Sequence, residues 1–210
     1  MLTRLREIVE KVASAPRLNE ALNILVTDIC LAMDTEVCSV YLADHDRRCY
    51  YLMATRGLKK PRGRTVTLAF DEGIVGLVGR LAEPINLADA QKHPSFKYIP
   101  SVKEERFRAF LGVPIIQRRQ LLGVLVVQQR ELRQYDESEE SFLVTLATQM
   151  AAILSQSPDA KPCITGSTWC GDCRRLAGCH VTFNGTGVSG INAGSGSGTR
   201  TTDRGVGRGG

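Results

Sequence analysis

At 210 residues, 43% of them hydrophobic, the chain has room for one well-packed domain and an additional segment. Its net charge of +5 is split, since residues 158–210 hold six Lys/Arg against three Asp and residues 1–157 hold the remaining +2; basic and acidic side chains are interspersed, so no basic stripe points to nucleic acid. The charged start from Met1 to Glu7 excludes a secretory signal, and no apolar run reaches the ~18 residues of a membrane span, so a cytoplasmic chain with no membrane partner is expected.

Residues 2–13 carry Leu2, Leu5, Val9 and Val12 at helical steps, which predicts a short helix with a narrow apolar seam. Such a helix is marginal alone and must dock, either as a lid on the core or in a dimer contact. Pro16 suits a helix first turn. Leu18, Ala21, Leu22, Leu25, Ile29 and Ala32 then form the apolar face of a second helix over residues 17–33. Residues 36–43 alternate, Asp44 to Arg48 is a polar turn, and residues 49–55 return, which predicts a hairpin. His45 between Asp44 and Asp46 reads as a solvated turn rather than a metal site, because no second ligand cluster lies nearby. A further strand is expected over 64–70.

Asp71 is placed to cap a helix running from Gly73 to Arg80. Glycines at 73, 76 and 79 do not match a dinucleotide-binding signature. They read as a small-residue face that lets this helix lie close to a sheet. Its amino end can also wall a pocket and meet an anion. Residues 83–90 give a short strand and a turn, and 91–105 a polar loop with one helical turn.

Residues 106–116 and 121–129 are two apolar runs around Gln117-Arg118-Arg119-Gln120, a central hairpin with both faces apolar and therefore covered on both sides. Alternation places Phe107, Ala109, Leu111, Val113 and Ile115 on one face and Phe110, Gly112, Pro114 and Ile116 on the other. On the return run, Leu122, Val124 and Val126 oppose Leu121, Leu125 and Val127. Pro114 suggests a bulge. Asp136 with Glu139 forms a capping box for a last helix reaching about Ser157, with a seam of Leu143, Leu146, Met150 and Ile153. Two such seams at the two ends of the domain predict a homodimer through the terminal helices. Cys30, Cys38 and Cys49 lie in apolar segments and read as buried free thiols.

This order, with Gly73-Ile74-Val75-Gly76, Glu83-Pro84-Ile85, Asp89-Ala90, Phe110-Leu111-Gly112-Val113-Pro114-Ile115 and Gly123-Val124-Leu125, resembles a GAF domain. The resemblance implies an α+β fold: a GAF-type antiparallel sheet with terminal helices on one face and a ligand-pocket cover on the other. Over residues 1–157 it is most specific to the N-terminal GAF domain of the nitrogen-type enzyme I family, the phosphoenolpyruvate-protein phosphotransferases of the bacterial phosphotransferase system. In that family a histidine takes phosphate from phosphoenolpyruvate, with Mg²⁺, and passes it to a phosphocarrier protein. The GAF domain would tune that reaction to a small nitrogen metabolite, with glutamine and 2-oxoglutarate as the expected signals. His45, His93 and His180 do not sit in the family's active-site motif, so no catalytic residue, metal site or cofactor is carried onto this chain. By this resemblance the chain is inactive alone, and the phosphocarrier would be reached only through the domains it lacks. The cyclic-nucleotide and chromophore-attachment motifs of other GAF domains are not matched.

For the pocket we expect Tyr41, Asp71, Gly73, Val75, Asp89, Phe96, Phe107 and Phe110, polar or aromatic groups on strands and covering segments. The alternative function is a dimerisation or protein-interaction module with a vestigial pocket. A third rests on residues 158–210, which hold thirteen of the twenty glycines and four of the seven cysteines. There Trp169-Cys170-Gly171-Asp172-Cys173 resembles a thioredoxin-type redox motif, and Cys170, Cys173, Cys179 and His180 a zinc set. The following Arg174 to Gly178 offers barely a turn for the redox helix, and the zinc spacing is poor. We expect instead a disordered Gly/Cys/Arg-rich tail, produced by frameshifted translation, because the second-base frame permits a Glu-, Arg- and Leu-containing helix.

Overall fold

The computed structural model of the chain describes residues 2–59, 65–97 and 107–156. The readings of 158–210 as disordered, frameshifted, redox-active or zinc-binding lie outside those residues.

Two helices, α1 (Leu2–Ser14) and α2 (Leu18–Ala32), precede the hairpin of β1 (Val37–Asp44) and β2 (Cys49–Arg56). Then come β3 (Thr67–Ala69), α3 (Gly73–Leu81), β4 (Ile85–Leu87), a 3-10 turn (Ala90–Lys92), β5 (Ala109–Gln117), β6 (Gln120–Gln129) and α4 (Glu137–Gln156). The strands form one antiparallel sheet in the order β3-β2-β1-β6-β5-β4. The pairing of β1 with β6 joins its two halves.

The sheet carries a core on each face. Ala109, Leu111, Val113, Ile115, Leu125 and Val127 pack with Leu22, Leu25 and Ile29 of α2 and with Leu143, Leu146 and Met150 of α4. On the opposite face Tyr41, Tyr50, Phe110, Val124 and Val126 pack with Ile74, Val75 and Val78 of α3. The double cover expected from an apolar hairpin is therefore present. Three details of that hairpin differ from strict alternation. Phe107 precedes β5 and packs with the α3-side core. A register shift between Ile115 and Ile116 sends Leu121 to the α3 side and Leu122 to the helix side, the reverse of a regular count. Pro114 pairs regularly with Val124, and the irregularity falls one residue later. It lies past the end of β4, whose pairing stops at Gly112, so a missing amide costs least there.

The helix ends follow local chemistry in part. The Asp136 amide donates to Glu139 Oε2 and the Glu139 amide to Asp136 Oδ1, both at 2.9 Å, which completes the expected capping box. Pro16 lies before the N-cap Arg17 rather than in the first turn. The N-cap of α3 is Glu72 in place of the expected Asp71, and no side chain caps it. The Glu72 carboxylate instead accepts from the Ala69 amide at 3.0 Å.

Ile8 and Val12 of α1 are buried in the helix-side core, so α1 is a lid on it. In α4 the expected seam residues Leu143, Leu146 and Met150 are buried there too. A dimer through the terminal helices would have to use other faces, such as that of the exposed Val144. Among the described residues, no helix is long and apolar enough to cross a membrane.

Candidate functional site

The glycine spacing of α3 sets how the site is built. A Cβ on Gly79 would stand 1.9 Å from the Tyr50 hydroxyl, and one on Gly76 2.7 Å from the Phe70 carbonyl oxygen. Only glycine lets the helix settle onto β2 and the preceding turn at that distance. Gly73, at φ +69°, starts the helix from the left-handed region, where a side chain would be strained.

The close approach leaves a small, partly open pocket under the amino end of α3. Its volume is about 30 Å³, the share of one water molecule in the liquid. Gly73, Ile74 and Val75 line it from the first turn of α3, Leu68 from β3, Ala90 from the 3-10 turn and Phe110 from β5. Val126 and Gln128 of β6 form its floor, and Phe96 and Lys97 close it. These last two are the lining residues on neither helix nor strand, and so the ones freest to move.

Of the eight residues expected at a pocket, the structure brings Gly73, Val75, Phe96 and Phe110 together. Tyr41 and Phe107 are buried in the same core without lining the pocket. Asp89 is engaged by Arg108, whose Nη2 donates to Oδ2 at 2.7 Å and holds the carboxyl below the usual range. Asp71 is exposed in the turn before α3. Neither acid lines the pocket. The expectation missed Leu68, Ile74, Ala90, Lys97, Val126 and Gln128. Gln128 was detectable, because it is the polar member of the alternation Val124, Val126, Gln128.

Gln128 is 7% exposed and faces Phe110 across the β5–β6 ladder and Val37 across the β1–β6 ladder. Its side-chain oxygen has no hydrogen-bond partner among the described residues. A buried orphan of this kind costs about 1–3 kcal/mol. The other buried orphan oxygen is that of Gln129, the next residue of β6. The Gln128 backbone carbonyl accepts from Thr35 Oγ1 at 2.9 Å. Thr35 thereby spends its one proton, so the Tyr135 hydroxyl, 3.2 Å away, donates to Thr35. Burial pushes the Tyr135 phenol up to about 12, which keeps that proton in place. The Gln128 backbone is thus tied to Tyr135, two residues before α4. Asn86 holds the same residue from the β4 side, donating to the Tyr135 carbonyl at 2.8 Å.

At the mouth, Lys97 Nζ lies 2.8 Å from Glu72 Oε1. Lys97 and the Ala69 amide lower the Glu72 carboxyl. A lowered carboxylate adds stability that is complete above the ordinary carboxylate range and is lost as pH falls through the lowered value. Lys97→Met should therefore destabilise by under ~1 kcal/mol at pH 7, because Lys97 is largely exposed. That difference should shrink towards zero as pH falls through the lowered Glu72 value, as read by urea denaturation across pH 7 to 3. A gap of unchanged size at low pH would contradict the pairing.

Elsewhere, a groove of about 520 Å³ between α1 and α2 is open to solvent, and its carboxylate, Asp28, is paired with Lys11 at 2.9 Å. Burial pushes the Cys30 thiol up to about 11 and also raises the Cys38 thiol well above its ordinary value, so both stay protonated at neutral pH. His45 Nε2 donates to the Leu121 carbonyl at 2.7 Å, with its ring edge-on to Phe70. Among the described residues no group of three or more His, Cys, Asp or Glu is placed to hold a metal ion.

A six-stranded antiparallel sheet, helices on one face and a pocket under a short helix on the other define a GAF-type module. The GAF domain model matches residues 17–154, and the chain belongs to that family. It is 99% identical over 157 residues to a phosphoenolpyruvate-dependent phosphotransferase system protein of Salmonella typhimurium, a match covering 75% of this chain and 21% of that protein. The chain thus spans about a fifth of the length of that relative. The solved GAF domain of a phosphoenolpyruvate-protein phosphotransferase (ptsP) from Coxiella burnetii aligns with a TM-score of 0.70 and 46% identity, over 73% of this chain and 92% of that one. Its Acinetobacter counterpart aligns at 0.66 and 41% over the same shares. A free methionine-R-sulfoxide reductase from Neisseria meningitidis, at 0.62 and 21%, shares the fold. Residues 17–154 are accordingly the GAF domain of a phosphotransferase-system phosphoenolpyruvate-protein phosphotransferase.

Proposed function

We propose that this domain senses a small nitrogen metabolite and sets the activity of the phosphotransferase to which it belongs, the nitrogen-type enzyme I. Glutamine and 2-oxoglutarate are the proposed signals. The complete enzyme would autophosphorylate on histidine from phosphoenolpyruvate, with Mg²⁺ held by other domains, and pass the phosphoryl group to a phosphocarrier protein. It would act in the cytoplasm as a homodimer. The observation that carries sensing is the pocket under the uncapped first turn of α3, which Gln128 also lines and where the buried Gln128 side-chain oxygen has no partner among the described residues. Ligand pockets combine apolar walls with a few convergent polar groups, and a buried polar atom without a protein partner calls for a partner from outside the fold.

A second reading, an interaction module with a vestigial pocket, is favoured by the cavity of about 30 Å³, far below the ~300–1,000 Å³ of ordinary ligand sites. Calorimetric titration of the 210-residue chain with L-glutamine and with 2-oxoglutarate separates the two. Saturable heat with either is expected for sensing, which then requires Phe96 and Lys97 to move outward. Silence with both favours the interaction module.

A further inference from the structure

We propose that the arginine-bearing tips of the β1–β2 and β5–β6 hairpins, with the last turn of α3 beside them, dock a carboxylate-bearing surface elsewhere in the phosphotransferase polypeptide. The inference concerns the other end of the sheet from Gln128 and does not depend on the sensing reading.

β1 and β6 run antiparallel from Val37 opposite Gln128 to Leu42 opposite Gly123, so the two hairpin turns lie together past the second end. His45 joins them, its Nε2 donating to the Leu121 carbonyl at 2.7 Å. The last turn of α3 reaches the same place, since a Cβ on Gly79 would stand 3.0 Å from Leu121 Cδ2. Arg48, Arg80, Arg118 and Arg119 are gathered there, all exposed.

Three of the four hold a backbone that suits glycine. Arg118 and Arg119, at φ +47° and +65°, are the central residues between the paired Gln117 and Gln120. A two-residue turn with both φ positive favours Asn-Gly. Arg48 closes the β1–β2 turn at φ +53°. In each case a Cβ strains a conformation that glycine adopts freely. Local folding disfavours arginine here, and an external use for the side chains accounts for them. The guanidinium groups are also unspent. Asp44, Asp46 and Glu83 lie within four residues of them in sequence, and Asp71 follows Phe70, whose amide donates to the Arg48 carbonyl. Even so, among the described residues none of the four arginines forms an ion pair. Arg108, Arg130 and Arg133, by contrast, are paired with Asp89, Glu36 and Glu139.

Guanidinium groups match carboxylates in bidentate geometry, and arginine is enriched at protein contacts. The magnitude decides where the partner is. One exposed ion pair contributes at most about fivefold in affinity. Four multiply to about 600-fold, a dissociation constant of about 2 mM. Such a contact is populated when its partner is tethered, because effective concentrations on one chain are also about millimolar. The Salmonella relative supplies the tether, since the matched 157 residues are 21% of its length.

The test compares the 210-residue chain with the full-length Salmonella relative. Phenylglyoxal modifies accessible arginines, and mass spectrometry reads the rate at each. At ~0.1 M salt, Arg48, Arg80, Arg118 and Arg119 should react at least ~2-fold more slowly in the full-length protein, as for a contact populated half the time. The ratio should fall to about 1 at ~1 M salt. In full-length protein carrying Arg118→Asn with Arg119→Gly, Arg48 and Arg80 should react as fast as in the short chain. The same double variant of the 210-residue chain should have a urea midpoint equal to the parent's or higher, because Asn-Gly relieves the turn. Equal rates in the two proteins at ~0.1 M salt overturn the proposal. So does shielding that survives ~1 M salt or the double variant, since carboxylate pairing is then not its cause. Shielding that rises with protein concentration makes the occupant a second molecule and overturns docking within one chain. A lower urea midpoint gives the turn arginines a structural role and overturns it as well.

Discussion

Gly123→Val is expected to cost about 3 kcal/mol or more of unfolding free energy. Gly123 lies in β6 opposite Leu42 of β1. A Cβ there would stand 2.2 Å from the Tyr41 carbonyl oxygen and 3.2 Å from Leu42 Cα. These are backbone atoms of a paired strand, which no rotamer change can move aside. Relief requires β1 and β6 to separate, and that pair joins the two halves of the sheet. The same ladder sets Val37 against Gln128, so the strain reaches the pocket floor. Urea denaturation with the slope compared to the parent's checks this. A loss under ~1 kcal/mol would show that the strands accommodate a side chain.

Leu111→Ala is expected to cost about 3–5 kcal/mol and to lower the melting temperature by about 6–15 °C. Leu111 is fully buried near the middle of β5, between Asn86 of β4 and Val127 of β6. Its side chain belongs to the core that α2 and α4 share. Neighbours on three elements limit collapse into the space left behind, which places the loss in the upper part of the range for such truncations. Because the side chain points away from α3, ligand affinity at saturating folded protein should be unchanged. A thermal melt followed by circular dichroism, with a shift under ~3 °C, would contradict the packing described.

Much of the fold was legible in local pattern. The capping box of Asp136 and Glu139 needs only residues three apart, and it forms as expected. The apolar character of both faces of 109–129 required cover on both sides, and the two cores supply it. The small-residue face of α3 also proved sound, since Gly76 and Gly79 are where the helix meets its neighbours. Within the return strand the alternation failed at Leu121 and Leu122, whose faces the register shift beside Ile115 and Ile116 exchanges, while Val124, Leu125, Val126 and Val127 keep the faces counted. Asp71 was expected to cap α3 and did not, because Glu72 takes that position and turns its carboxylate to Ala69.

Of the eight residues expected at a pocket from residue type and segment, Gly73, Val75, Phe96 and Phe110 line the cavity under α3. Asp89 was chosen for its charge, but Arg108, 19 residues away in sequence, claims it. No spacing rule connects that pair.

The sequence by itself determined the element types, the two covered faces and the helix cap, since these depend on neighbours within a few residues. The assignment to the GAF family likewise rests on residues 17–154 as a string. Only the tertiary structure decided which polar groups remain unpaired. Whether Gln128 has a partner depends on β1, β5 and α3, which approach it from three distant parts of the chain. Hydrogen-bond satisfaction is a property of that assembly, and so is the small pocket beside it. For that reason Gln128 was absent from the sequence-based set and stood out once its surroundings were in place.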